Sequence, residues 1–411
     1  MNNSISRRGF IRVLGLATAS LVFPVKTLAV SKAKVVVVGG GFAGATCAKY
    51  LKMWGGNDVE VTLIDKNSSY YSPILSNLIL NGQKSLSELM FSYNDLETKY
   101  GISFVNKEVS SINSDTKVIS FSDTTSLSYD KVVVATGIDF IQSNAYDFEK
   151  VPHAWMGGAQ VALLKEKLDL IPNNGTFIMS IPKAPYRCPP GPYERACVVA
   201  DLLSSKNINV TVLDENADII VEKDTFSTKF NEYGITYISN AKVTNVDDTN
   251  NQVTYNSSET LSADLLNIIP NQKASSLVFD MGLDDDKFAP VNFLSYESKL
   301  KNDVYVIGDA HKSSMPKAGH IANSEAKICA DAILRDLKNE LPYQTPVTNS
   351  ACYSPVSRTE ASWLTALYKY DSATQNMIPA DSRYPVAGNP STSNYNEMFN
   401  WTGNLFSDTF S

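Results

Sequence analysis

Three glycines stand where a phosphate could be held. Gly39, Gly41 and Gly44 have the G-x-G-x-x-G spacing and follow the valine-rich run Lys34–Val38 directly. A turn of this kind brings backbone N–H groups and a helix N-terminus against a pyrophosphate, and side chains at those positions would block the approach. Gly39 permits the strand-to-helix turn, Gly41 leaves room for the pyrophosphate with Phe42 and Ala43 in the same turn, and Gly44 lets helix and sheet pack closely. Asp65 closes the next apolar run, Val59–Ile64, where an acid would accept a hydrogen bond from a ribose hydroxyl. Thiols are the other reactive groups: Cys47, Cys188, Cys197, Cys329 and Cys352. None forms a C-x-x-C, which excludes a zinc-ribbon or thioredoxin motif. With three histidines, His153, His311 and His320, no histidine-rich metal site is expected.

These groups need elements to place them. The run Lys34–Val38 reads as a buried parallel strand, and the stretch from Phe42 to Met53 as the helix after the turn. Two further runs end in small-residue turns: Tyr129 to Val134 leading into Ala135, Thr136 and Gly137, and Val304 to Ile307 leading into Gly308 and Asp309. Together with the glycine turn they resemble the two-dinucleotide-domain flavoproteins, in which such an Asp holds the flavin ribityl chain. The pattern then repeats. Thr176–Ile181 and Asn209–Asp214 echo the first pair of strands, but the segment between them is rich in proline rather than glycine. Such a turn cannot wrap a pyrophosphate closely. The second unit is therefore expected to keep the shape of an NAD domain without binding NAD(P)H. Leu265–Pro270 reads as the strand that returns the chain to the first unit.

The bulk composition is that of a folded protein, with 43% hydrophobic and 19% charged residues in a chain of 411. A net charge of −7 argues against a nucleic-acid partner. Near the start, Arg7 and Arg8 precede a weakly apolar run from Val13 to Phe23, and Ala29 offers a small residue for cleavage. This reads as a twin-arginine signal over residues 1–29, hence export to an oxidising compartment, the periplasm. No transmembrane segment is expected in the mature chain.

The run Arg187-Cys188-Pro189-Pro190-Gly191-Pro192-Tyr193-Glu194-Arg195-Ala196 is distinctive. It resembles the corresponding stretch of flavocytochrome c sulfide dehydrogenase, flavoprotein subunit. Further segments agree in order and spacing: Tyr70-Tyr71 with Leu75-Ser76-Asn77, Pro152-His153-Ala154-Trp155, Met315-Pro316-Lys317-Ala318-Gly319, Cys352-Tyr353-Ser354, and Trp401 with Asp408-Thr409-Phe410. The resemblance implies an α/β fold with two Rossmann-like domains and a C-terminal interface domain. The FAD domain would be discontinuous, 33–145 and 265–340, the NAD-like domain inserted at 146–264, and the interface domain would span 341–411. It implies FAD held by the glycine turn, Asp65, Lys66, Val109, the Ala135–Gly137 turn, Gly308, Asp309 and Lys317. It also implies a redox-active Cys188–Cys352 disulfide beside the flavin, with Glu194 as the nearby acid, and oxidation of sulfide with electrons passed to a c-type cytochrome subunit. This chain has no C-x-x-C-H, so the haem would belong to that partner.

The resemblance has departures. Pro73 stands where well-known members carry the cysteine that attaches FAD, so the cofactor is expected to be non-covalent. His320 and Glu325 also depart from the family pattern; His320 near the flavin would tune its potential, and on the surface it would do nothing. Cys47, Cys197 and Cys329 read as small core residues. Two alternatives stay open: a sulfide:quinone oxidoreductase, against which the polar tail from Asn394 to Asp408 speaks, and a non-catalytic flavoprotein partner.

Overall fold

The computed structural model describes residues 32–381 and 385–411. The signal reading over residues 1–29 lies outside these. From Ala33 onward the chain is α/β, with a mostly parallel sheet of seven strands and a parallel sheet of four, the two Rossmann-like sheets that the resemblance implied.

The first sheet has seven strands. Its centre is Ala33–Val38, flanked on one side by Val59–Asp65 and on the other by Lys131–Val134, all parallel. Ser103–Asn106 extends one side and Val304–Val306 the other. Valine dominates because both faces are covered: Val35, Val37, Val132 and Val133 are fully buried. The order of strand addition reverses at Ala33–Val38, first outward to Val59–Asp65 and then to Lys131–Val134 on the other side, so a crevice opens beyond the carboxyl ends of the strands. The helix Phe42–Gly55 starts there. Gly39 takes φ +104°, and a side chain on Gly44 would place its Cβ 1.8 Å from the Gly39 carbonyl oxygen. Only glycine allows helix and turn to meet this closely.

The second sheet runs Thr236–Ile238, Asn209–Asp214, Thr176–Ile181, Leu265–Ile268, all parallel. This corrects the reading of Leu265–Pro270 as a return to the first unit. Leu265 pairs with Phe177, and all four residues of the strand are buried, because it covers the outer edge of Thr176–Ile181. The next strand, Asn271–Ala274, is the one that leads back, antiparallel to Ile138–Ile141.

A three-stranded antiparallel sheet follows: Val347–Pro355, Ala361–Asp371 and Asn376–Pro379. Helix Thr392–Phe410 then lies back against the first helix. The Lys49 ammonium donates to the carbonyls of Ser407, Asp408 and Ser411, fixing the helix end with a cation where the dipole is negative. Tyr395, Met398, Leu405 and Phe410 of this helix are buried. Among the described residues, no helix is long and apolar enough to cross a membrane.

Candidate active site

A cavity of about 790 Å³ opens at the carboxyl ends of the first sheet. Its wall includes Gly39, Gly41, Phe42, Ala43, Asp65, Lys66, Val109, Ala135, Thr136, Gly137, Gly308 and Asp309, and also Cys188, Glu194 and Cys352. Two expected cofactor residues are not on that wall. Gly44 lies behind the turn, in the packing role described above. Lys317 points inward, donating to the carbonyls of Asp309 and His311 with its ammonium over the Phe288 ring. Burial lowers its pKa to about 8. The reason is local: its side chain braces the loop from behind, while Ala318 and Gly319, at the start of helix Gly319–Asp336, face the cavity instead.

The lining fits a dinucleotide. The turn before helix Phe42–Gly55 carries no side chain to obstruct a pyrophosphate, and Asp65 accepts from the Gly40 and Asn67 N–H groups at 2.7 and 2.8 Å, which fixes its carboxylate at the strand end. The Gly308–Asp309 turn is clamped by Glu325, whose carboxylate accepts from the Gly308 N–H at 3.1 Å and meets His311 Nε2 at 2.9 Å. Glu325 therefore has a structural partner, which the sequence could not reveal.

Cys188 ends the proline-rich loop. It sits at φ +58°, uncommon for a side-chain-bearing residue, and its N–H donates to the Lys317 carbonyl at 2.7 Å. Gly191 makes room for it, since a Cβ there would come within 2.9 Å of Cys188 Sγ. Three residues on, in helix Gly191–Leu202, Glu194 is buried and accepts from Asn77 Nδ2 at 2.8 Å. Burial pushes its carboxyl up to about 8, although Asn77 and Arg195 pull the other way. Such a group can give or take a proton near neutrality.

Arg195 holds the assembly together, and sequence reasoning missed it. It is 1% exposed. Its guanidinium donates to Asn77 Oδ1, Asn267 Oδ1 and the carbonyls of His153 and Ala154, over the Trp155 ring. It thereby ties three segments that are distant in sequence to the helix bearing Glu194. A basic residue directly beside Glu194, ahead of the apolar run Ala196–Ala200, was the available signal. Burial lowers its pKa to about 10, and His153 beside it is lowered to about 3, so His153 is neutral and its Nδ1 accepts from the Trp155 N–H.

Cys352 comes from strand Val347–Pro355 on the cavity wall. No disulfide joins it to Cys188: all five cysteines are free, so the bond implied by the resemblance is not formed and the structure holds the pair as thiols. Burial is the largest cause of their state. It raises Cys188 to about 12, with Glu194 adding to it, and raises Cys352 further, with Cys188 adding to it. Both are neutral thiols at neutral pH, not ready-made nucleophiles. Cys47, Cys197 and Cys329 are fully buried in helices, as core residues are. His320 is neither exposed nor idle: it lines the cavity, and its Nδ1 accepts from the Ala351 N–H at 3.0 Å. Trp401 and Tyr353 continue this wall.

The acid that ends the second unit's corresponding strand is engaged by the protein itself. Asp214 ends its strand as Asp65 does, but it is fully buried and accepts from Tyr193 Oη, Tyr237 Oη, and the backbone and side-chain N–H groups of Asn216. No acceptor is left for a ribose. Anaerobic mixing with NADH or NADPH is therefore expected to leave a bound flavin oxidised for many minutes. Fast stoichiometric bleaching would show the site to be open.

Comparison with known proteins agrees with this geometry. Residues 161–270 match the family model of the sulfide dehydrogenase [flavocytochrome c] flavoprotein chain, central. Residues 33–160 match that of the pyridine nucleotide-disulphide oxidoreductases. A type II NADH:quinone oxidoreductase of Staphylococcus saprophyticus is 30% identical over 113 residues, spanning 27% of this chain and 28% of its own length. Ferroptosis suppressor protein 1 of Xenopus laevis is 23% identical over 338 residues, 74% of this chain and 81% of its own. In structure, the sulfide:quinone oxidoreductase of Aquifex aeolicus superposes with a TM-score of 0.78 over 92% of both chains at 17% identity, a likeness of fold.

Proposed function

We propose that this chain, an FAD-dependent oxidoreductase of the two-dinucleotide-domain flavoproteins that carries the central segment of the flavocytochrome c sulfide dehydrogenase flavoprotein chain, oxidises sulfide to sulfur or polysulfide and passes the electrons to a c-type cytochrome subunit in the periplasm. The observation that carries the reading is that Cys188, Cys352 and Glu194 line the same cavity as the dinucleotide cradle and lie close enough to one another to raise the two thiols electrostatically. Cys188 and Cys352 are 164 residues apart in sequence, so nothing local forces this.

In this reading the working enzyme starts with Cys188 and Cys352 joined. Hydrosulfide attacks Cys188, forming a Cys188 persulfide and expelling Cys352 as a thiolate. The two electrons lost by the sulfide sulfur now reside in the opened disulfide. Glu194, protonated near neutral pH, supplies a proton to the opened pair. A second hydrosulfide attacks the outer persulfide sulfur and leaves as a disulfide anion, restoring the Cys188 thiol. FAD, when bound, supplies the two-electron acceptor that returns the dithiol to the disulfide. For that return Glu194, again a carboxylate, takes a proton from a thiol that burial otherwise keeps neutral.

Pro73 lines the cavity near Tyr70 and Tyr71 and offers no thiol, so FAD is held without a covalent bond in this proposal. Acid precipitation should release the yellow chromophore into the supernatant, and flavin kept by the washed pellet would contradict it. The function itself is tested by anaerobic addition of sulfide to the FAD-loaded chain, followed by oxidised cytochrome c or a soluble ubiquinone. Flavin bleaching by sulfide and reoxidation by cytochrome c support the proposal. Reoxidation by quinone alone would make it a sulfide:quinone oxidoreductase, and no bleaching a non-catalytic partner.

A further inference from the structure

One ionisable group near the cysteines has no part in the scheme above. Glu222 precedes helix Lys223–Tyr233 with its backbone in the left-handed region, φ +46°. Its carboxyl is buried, at 8% residue exposure, and belongs to none of the ion pairs among the described residues. Oε2 accepts from Ser354 Oγ at 2.8 Å, and the Ser362 hydroxyl lies beside the carboxyl. An unusual backbone conformation and a buried carboxyl without a cation coincide in one residue. Each is unfavourable, and together they are the kind of local strain that collects at working sites.

Its neighbour explains the placement. Side chains two apart in a strand share a face, so Ser350, Cys352 and Ser354 form one row on strand Val347–Pro355. Ser354 and Ser362 are fully buried partners across the sheet, and their hydroxyls are what Glu222 meets. The carboxyl thus lies behind the sulfur that the scheme expels.

We propose that Glu222 is a positioning residue for Cys352, a buried carboxyl against the row of the Cys352 sulfur whose ionisation suppresses expulsion of that sulfur as a thiolate. The proposal rests on the disulfide reading above and extends it. The physical cause is charge. With Glu222 neutral, a thiolate at Cys352 has no anion behind it; with Glu222 ionised, two negative charges share a dry interior. Burial raises the Glu222 pKa, while the Ser362 and Ser354 hydroxyls lower it. The other groups that feel Glu222 are Glu194, from helix Gly191–Leu202, and Cys352 itself. On its own helix, Lys223 is exposed and engaged by Asp218, and Lys229 by Glu232 and Glu360.

The test uses the oxidised FAD-loaded chain and dithiothreitol in place of sulfide. Opening of the Cys188–Cys352 bond is followed by quenched alkylation and mass spectrometry between pH 6 and pH 9. The rate is divided by the dithiothreitol thiolate concentration. In the unmodified protein this normalised rate should fall as pH rises, through ionisation of both Glu194 and Glu222. Glu222→Gln should remove one of the two steps and leave the rate at pH 9 about tenfold higher than in the unmodified protein. Ser354→Ala, which removes a hydrogen bond to the carboxylate, should move the fall to higher pH and guards against a Glu222→Gln protein that does not fold. Profiles of both variants that superimpose on the unmodified protein would overturn the role of Glu222. If both cysteines are alkylated before dithiothreitol is added, the redox pair is absent, and the reading beneath the proposal falls with it.

Discussion

Replacing either cysteine, Cys188→Ser or Cys352→Ser, should lower sulfide-dependent reduction of the flavin on the order of 10³-fold or more, while dithionite still reduces it. The size follows from the scheme: one sulfur is the electrophile, the other the leaving group, and neither role survives as a hydroxyl. The substitution is nearly isosteric, and neither cysteine belongs to the glycine turn or the Asp65 and Asp309 ends of the cradle, so FAD content should be unchanged. Stopped-flow mixing with sulfide at matched flavin content measures the effect. If the disulfide were only a staple between the C-terminal sheet and the rest, both variants would lose stability and keep near-normal reduction rates.

Glu194→Gln should have the second largest effect. Near neutral pH the rate of sulfide-dependent reduction should fall about 10²-fold, the scale of a lost general acid. The pH dependence has a definite sign. Burial holds the Glu194 carboxyl at about 8 in the folded protein, above its ordinary 4.5. The group is therefore protonated at pH 7, and the rate of the unmodified protein should decline as pH rises through about 8. The variant should lack that limb. The same shift bears on stability. A carboxyl with a raised folded-state pKa favours the fold fully only below its unfolded pKa, and that contribution is lost as pH rises toward 8. Glu194→Gln should accordingly be more stable than the unmodified protein at pH 9, by up to a few kcal/mol, with little difference at pH 4. Thermal melts at the two pH values separate this from a catalytic defect caused by misfolding.

The two kinds of structure here differed in how far they could be read from sequence. The glycine turn was legible because its demands are steric and local: a side chain on Gly44 would overlap the Gly39 carbonyl in any such fold. The absence of a glycine turn in the second unit was legible from its prolines, but the partners of its strand-end acid were not. Tyr193 and Tyr237 reach Asp214 from a helix and a strand, and side-chain hydrogen bonds between separate elements leave no spacing signature. Leu265–Ile268 was misplaced because an apolar run shows that a strand is buried, not which sheet it joins. Arg195 and Glu222 went unremarked for a related reason. A charged residue is presumed to be solvated until the fold buries it, and both are buried by contacts with residues from separate elements. The meeting of Cys188 and Cys352 followed from family resemblance alone, since their separation in sequence carries no geometric information.

The most direct test of the account is to look for the added sulfur. The oxidised, FAD-loaded protein is mixed anaerobically with one equivalent of sulfide, quenched in acid within a single turnover with an alkylating agent, and digested. The account expects the peptide containing Cys188 to carry one extra sulfur, trapped as an alkylated persulfide, and the peptide containing Cys352 to appear as an alkylated thiol, both before the flavin bleaches, since reduction of the cofactor accompanies the return of the pair to the disulfide. Flavin bleached by sulfide with no earlier opening of the Cys188–Cys352 bond and no Cys188 persulfide preceding it would contradict it, because electrons would then have reached the cofactor without passing through the cysteines.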